Sequence, residues 1–197
     1  CALLACGCAP AARLPDPEPG TEAARPPITQ ELLVPPGYGT LKQDEVTVSL
    51  RSGPLLVKAT PLDEAVIRLL APDTYDRLRA LAESRRAEAA RSTSGPPTLF
   101  LISFFSYQQD VEFQPEDLQL RHRGRLMQAA AILPITNGFG RQRLAQQENQ
   151  SAIYAFDERV DYDQPIIVRY GFEESDAWTR IIPKLEVERA KIRARSR

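Results

Sequence analysis

The chain has 197 residues, of which 43% are apolar and 26% charged, and its formal net charge is −1. That length and balance suit one soluble globular domain or two small ones, with no apolar run near the ~20 residues of a membrane-spanning helix and no basic excess to engage nucleic acid. All three cysteines (Cys1, Cys6, Cys8) fall in the first eight residues, which leaves no disulfide scaffold for the remainder.

In chain order the first feature is Leu3-Leu4-Ala5-Cys6-Gly7. It resembles a bacterial lipobox, the end of a lipoprotein signal peptide. Leu3 closes the apolar region, Ala5 is small enough for a signal peptidase pocket, and the Cys6 thiol is the nucleophile that accepts lipid. Residues 1–8 are therefore expected to be a signal remnant with its lipobox. Cys1 would leave with the signal, and Cys8 would remain without a protein partner. Several acyl chains, at about 0.8 kcal/mol per buried CH₂, make a durable anchor. Eight of the 17 prolines lie between Pro10 and Pro36, so residues 9–37 are expected to form an extended, disordered tether. At about 3.1 Å per residue, such a tether reaches at most on the order of 90 Å. This pair of features predicts a protein of the bacterial cell envelope, anchored to the outer membrane and facing the periplasm.

Residues 38–197 are expected to fold as one domain. Glu45-Val-Thr-Val-Ser-Leu50 alternates as a half-buried strand does, Ser52-Gly53-Pro54 turns it, and Leu55–Ala59 is its antiparallel partner. Thr60-Pro61-Leu62-Asp63 reads as a capped helix start, with Thr60 as cap. A second helix starts at Asp73 and runs to about Arg91, with Tyr75, Leu78, Leu81, Ala82 and Ala89 on one stripe. Asp73–Arg77 and Glu83–Arg86 are spaced to pair on its outer side. Ser92–Pro97 is the one internal linker. Leu99-Phe-Leu-Ile-Ser-Phe-Phe105 is apolar on both faces, so both faces need cover; the helical insertion at 61–91 is the candidate for one of them. Strands follow at Leu118–Leu120, from Arg125 through Ile132, at Ser151–Phe156 and at Pro165–Phe172, and Asn137-Gly138 signals a hairpin. From Trp178 the pattern predicts a strand to about Ile182 and then a helix. Seven or eight strands at this spacing predict an antiparallel β-sandwich with a helical pair on one sheet and a C-terminal helix. The basic residues number 25 (21 arginines and four lysines), and their one local excess is Arg189–Arg197. Cations there suit the C-terminal end of a helix dipole; anionic lipid or nucleic acid is the other way to use them.

Phe113-Gln-Pro115-Glu-Asp117-Leu118-Gln-Leu120, then Gly124-Arg125, and Ala155-Phe156-Asp157 ahead of Pro165–Tyr170 resemble the immunoglobulin-like domains of bacterial lipoproteins, a family of unknown function. The resemblance covers about residues 98–175. The helical insertion at 61–91 and the glutamine-rich stretch 142–150 depart from it. It implies an immunoglobulin-like sandwich and no shared catalytic residue.

Chemistry is sparse along the chain. His122 is the single histidine and is expected in an exposed charged turn, which leaves nucleophilic triads and histidine-rich zinc sites without components. Asp157, Asp161 and Asp163 are the best candidates for a hard cation such as Ca²⁺, although the loop lacks EF-hand spacing and the loop glycine. Glu116-Asp117 and Glu173-Glu174 are adjacent in sequence and would point apart in a strand, which does not make a glycosidase pair. Gln142, Gln146, Gln147, Asn149 and Gln150 suit sugar hydroxyls or a polar strand edge. No cofactor motif is present. These readings predict a non-catalytic interaction module whose partners are the membrane, through Cys6, and an envelope protein or glycan. The alternatives are an envelope hydrolase using carboxylates and a Ca²⁺-binding domain.

Overall fold

The computed structural model describes residues 34–196; Cys1, Cys6, Cys8 and the tether up to residue 33 lie outside the described residues. The described part is a mainly antiparallel β fold of sandwich type with three helices. Its strands are β1 (Val48–Ser52), β2 (Leu55–Pro61), β3 (Thr98–Ser106), β4 (Val111–Glu112), β5 (Leu118–His122), β6 (Arg125–Gln128), β7 (Ala131–Pro134), β8 (Arg143–Leu144), β9 (Asn149–Phe156), β10 (Ile166–Tyr170) and β11 (Glu173–Ser175). The helices are α1 (Glu64–Ile67), α2 (Pro72–Ala89) and α3 (Trp178–Arg195). One sheet has the order β1-β2-β3-β9-β7 and the other β11-β10-β5-β6, while β4 and β8 form a two-stranded ribbon. The eleven strands exceed the seven or eight expected because β4, β8 and β11 span only two or three residues. Alternation needs more residues than that to be read.

β3 is buried along nearly its whole length, as its doubly apolar sequence requires. Phe100, Ile102 and Phe104 face the second sheet: the Phe104 ring lies 4.5 Å from that of Phe113 and 5.7 Å from that of Tyr170 on β10. Leu99 and Leu101 face the other way, paired in register with Ala155 and Ile153 of β9. α2 covers this outer half, with Arg85 reaching the Pro134 carbonyl on β7 at 3.2 Å. Tyr75, Leu78, Ala82 and Ala89 are its buried stripe.

Several local expectations need correction. Thr60 and Pro61 end β2, and the Thr60 hydroxyl is buried at 2.7 Å from that of Thr47. The α1 cap is Asp63, whose carboxylate accepts from the Ala65 N–H at 2.9 Å, and the helix is a single turn. On α2 the ion pairs are Arg79–Glu83 and Arg85–Glu88, and Arg77 instead donates to Gln43. The strand expected from Arg125 through Ile132 breaks after Gln128 and changes sheet, β6 pairing with β5 and β7 with β9. Asn137-Gly138 is no hairpin, because Gly138 has φ −82° and precedes a 3-10 turn at Phe139–Arg141. The two-residue hairpin with both central φ positive is Arg123-Gly124, at +50° and +77°. The C-terminal segment is helical from Trp178, so the strand expected from there to about Ile182 is instead the start of α3. Trp178, Ile181, Leu185 and Glu188 make a buried helical stripe, whereas Val187, which a strand would bury, is exposed. Pro183 sits in the second turn and forfeits one helical hydrogen bond.

The N-terminal edge of the described chain is tightly held. Gly39 donates to the Arg68 carbonyl at 3.0 Å, Leu41 to Leu69 at 3.1 Å, and Ala71 returns to Leu41 at 3.0 Å. A Cβ on Gly39 would lie 1.8 Å from the Leu69 oxygen, so this close approach of two backbones admits only glycine.

Candidate functional site

The sandwich has two ends, and the candidate chemistry divides between them. At one end the β5–β6 turn, the 157–165 loop, α1 and α3 surround a cavity of about 420 Å³, lined by Asp63, Arg123, Arg159, Asp161, Tyr162, Asp163 and Arg189 among others. His122 closes β5 beside it and is buried, not exposed as its charged sequence neighbours suggested. Its Nε2 accepts from the Asp161 N–H at 3.2 Å, and its Nδ1 lies 3.3 Å from the Pro165 carbonyl, which can only accept. These two contacts fix the Nδ1–H tautomer and occupy both ring nitrogens. The histidine is a strap across the 161–165 loop.

The three aspartates are brought close in sequence but not in chemistry. Asp157 accepts from the Ser94 N–H at 2.7 Å and ties the 92–97 linker to β9. Asp161 pairs with Arg123 at 2.6 Å, and Asp163 with Arg189 at 2.5 Å. Hydrogen bonding by the Asp163 N–H, with the Arg123 charge beside it, holds the Asp161 carboxyl below its ordinary range. Among the described residues no group of three or more His, Cys, Asp or Glu side chains is placed to hold a metal ion. A general acid needs a carboxyl pushed upward; the shift here runs the other way. Of the adjacent acids, Glu174 pairs with Arg121 across the sheet at 2.6 Å, while Glu116 and Asp117 lie in the 3-10 turn Pro115–Asp117.

The opposite end carries loops and exposed apolar tips. The β10–β11 turn places Phe172, 98% exposed, at its apex behind Gly171 at φ +58°. Phe172 had been expected to end the strand; β10 instead stops at Tyr170. Tyr107 is 58% exposed and set edge-on to Phe105 at 4.7 Å. The Gln147 N–H donates to the Ser106 carbonyl at 2.8 Å, which brings the 107–110 and 145–148 loops together. Gln108, Gln109, Gln146 and Gln147 are exposed there, while Gln142 is half-buried. Gln150 is instead buried, its amide donating to the Arg143 carbonyl at 3.0 Å and to Glu148 at 2.8 Å. Among the described residues, three of the four non-glycine residues at positive φ, namely Asp110, Gln142 and Gln147, fall in these loops. The Ala145 N–H and the Gln150 amide hold the Glu148 carboxyl low, which keeps it charged and fixes the turn.

Sequence reasoning missed Phe172 as an exposed tip and Glu188 as a buried acid. Glu188, 1% exposed on α3, accepts from the Thr40 N–H at 2.8 Å and the Thr40 hydroxyl at 2.9 Å. Lys191 and Arg195 flank it at 3.6 and 3.4 Å. The available signal was the helical spacing of Trp178, Ile181, Leu185 and Glu188, which puts an acid on an otherwise apolar stripe.

No family model matches this chain, and no characterised protein or solved structure proves similar to it.

Proposed function

We propose that the protein is a lipid-anchored component of the bacterial cell envelope, a non-catalytic module that holds or contacts another envelope component. The observation that carries this reading is Leu3-Leu4-Ala5-Cys6 followed closely by a proline-rich stretch, with no cysteine in the chain after Cys8. Anchor and spacer together carry a folded domain away from the bilayer. Its placement at the outer membrane, facing the periplasm, belongs to the same proposal. So does the immunoglobulin-like kinship of the sandwich, which rests on the 98–175 segment.

The loop end supports the interaction role. A bare phenylalanine on a tight turn loses apolar contact with water only when a partner covers it, and aromatic tips make effective anchors in interfaces. Backbone strain in the neighbouring loops suits a recognition surface. The partner is an envelope protein or a glycan.

Metabolic labelling with an alkyne fatty acid compares wild type with Cys6→Ser. Wild type should be labelled and sediment with membranes, and the variant should do neither. Equal labelling of both overturns the anchor.

A further inference from the structure

We propose that the end of the domain formed by α1 and the last turns of α3 is a docking surface for an anionic phospholipid bilayer. It deepens the lipid-anchor reading and rests on that reading for which membrane is met. Two independent observations meet there. The first is charge. The last turns of α3 carry Arg189, Lys191, Arg193 and Arg195; buried Glu188 lies against Lys191 and Arg195, and Asp163 against Arg189, which leaves the cations in excess. Arg68, the C-cap of α1, joins Arg189 and Arg193 around one groove of about 230 Å³, whose only acid is Glu64. The rest of the chain is acidic by difference, because the whole carries −1 while α3 carries six cations against two acids.

The second observation is where the chain comes in. Gly37 lines the same groove, and Arg195 donates to the Tyr38 carbonyl at 2.9 Å. Thr40, held by Glu188, follows immediately. The segment leading back to Cys6 therefore joins the domain at its basic end. The Phe172 turn lies at the far end of the sandwich, since Tyr170 pairs with Leu118 while Ile166 pairs with His122 beside the charged cavity. An anchored chain thus presents cations to the bilayer and its loops to the periplasm. Each Lys or Arg at an anionic surface contributes a favourable increment that salt screens within a Debye length.

The test is flotation of the full chain carrying Cys6→Ser, which removes the lipid, with two kinds of vesicle. One is phosphatidylcholine alone, the other phosphatidylcholine with about 30 mol% phosphatidylglycerol. The protein should float with the anionic vesicles only, and about 0.5 M NaCl should release it. Arg68→Glu with Arg193→Glu should weaken binding by about tenfold or more. Arg51→Glu with Arg143→Glu, the same charge change at the loop end, should leave binding as it was, and a thermal melt checks that both variants fold. No flotation with anionic vesicles, equal flotation with both vesicles, or equal loss in the two variants overturns the docking surface. None of these outcomes touches Cys6 labelling, which fails or succeeds separately.

Discussion

Two buried tyrosines separate what a hydroxyl does from what a ring does. The Tyr154 hydroxyl donates to the Pro115 carbonyl at 2.9 Å and ties the first sheet to the turn before β5. The Tyr162 hydroxyl is buried with no hydrogen-bond partner among the described residues, while its ring packs edge-on against Trp178 at 5.9 Å. Burial pushes both phenols well above their ordinary range, so neither ionises at working pH. Tyr154→Phe should therefore cost about 1 kcal/mol, because it removes a satisfied buried bond. Tyr162→Phe should cost nothing or stabilise, because it deletes an unsatisfied group and keeps the ring. Chemical denaturation of the two variants checks the contrast, and a comparable loss in both contradicts it. At this scale sequence was a poor guide. His122 sits between charged residues and reads as a turn, yet a tight Arg123-Gly124 hairpin and two backbone contacts fold it inward. Nothing local in the sequence encodes contacts with a loop some forty residues away.

Elements were more legible where the apolar period was long. The doubly apolar Leu99–Phe105 run gave a central strand, and the stripe from Tyr75 to Ala89 gave a helix lying on its sheet. The errors cluster where two periods compete. Ile181, Leu185 and Val187 fit alternation, while Pro183, Leu185 and Ile192 fit a helix, and only Trp178 joining the stripe decides for the helix throughout. Short pairings such as β4 with β8 and the 39–41 segment with 69–71 depend on distant backbone, so no local pattern announces them. The last of these lies where the described chain enters the fold. α3 secures it through Glu188, and α1 and its following turn secure it through main-chain bonds. Glu188→Ala should cost about 2 kcal/mol, since it strands the Thr40 donors and the flanking cations. Amide exchange at Thr40 and Leu41 should speed up while β3 stays protected. Unchanged exchange at those two amides would show that Glu188 is not the clamp.

At the scale of the molecule, the domain is polarised. One end gathers the chain entry, a basic helix end and a cavity whose arginines and aspartates are largely mutually engaged. The other gathers Phe172, Tyr107 and loops held at positive φ. Composition foreshadowed the first by placing the cysteines and half the prolines ahead of the fold and the cationic run at its tail. It could not foreshadow the second, because Phe172 looks in sequence like the last apolar residue of a strand. Only the left-handed Gly171 turns it out to solvent. The central claim is that this loop end meets a partner. A photo-crosslinking phenylalanine analogue at position 172, activated in intact envelopes, tests it most directly, with the same analogue at Tyr107 and at the exposed Arg86 of α2 for comparison. The account predicts one discrete, reproducible adduct shared by positions 172 and 107 and missing from 86. No adduct from 172, or the same adducts from all three positions, would contradict it.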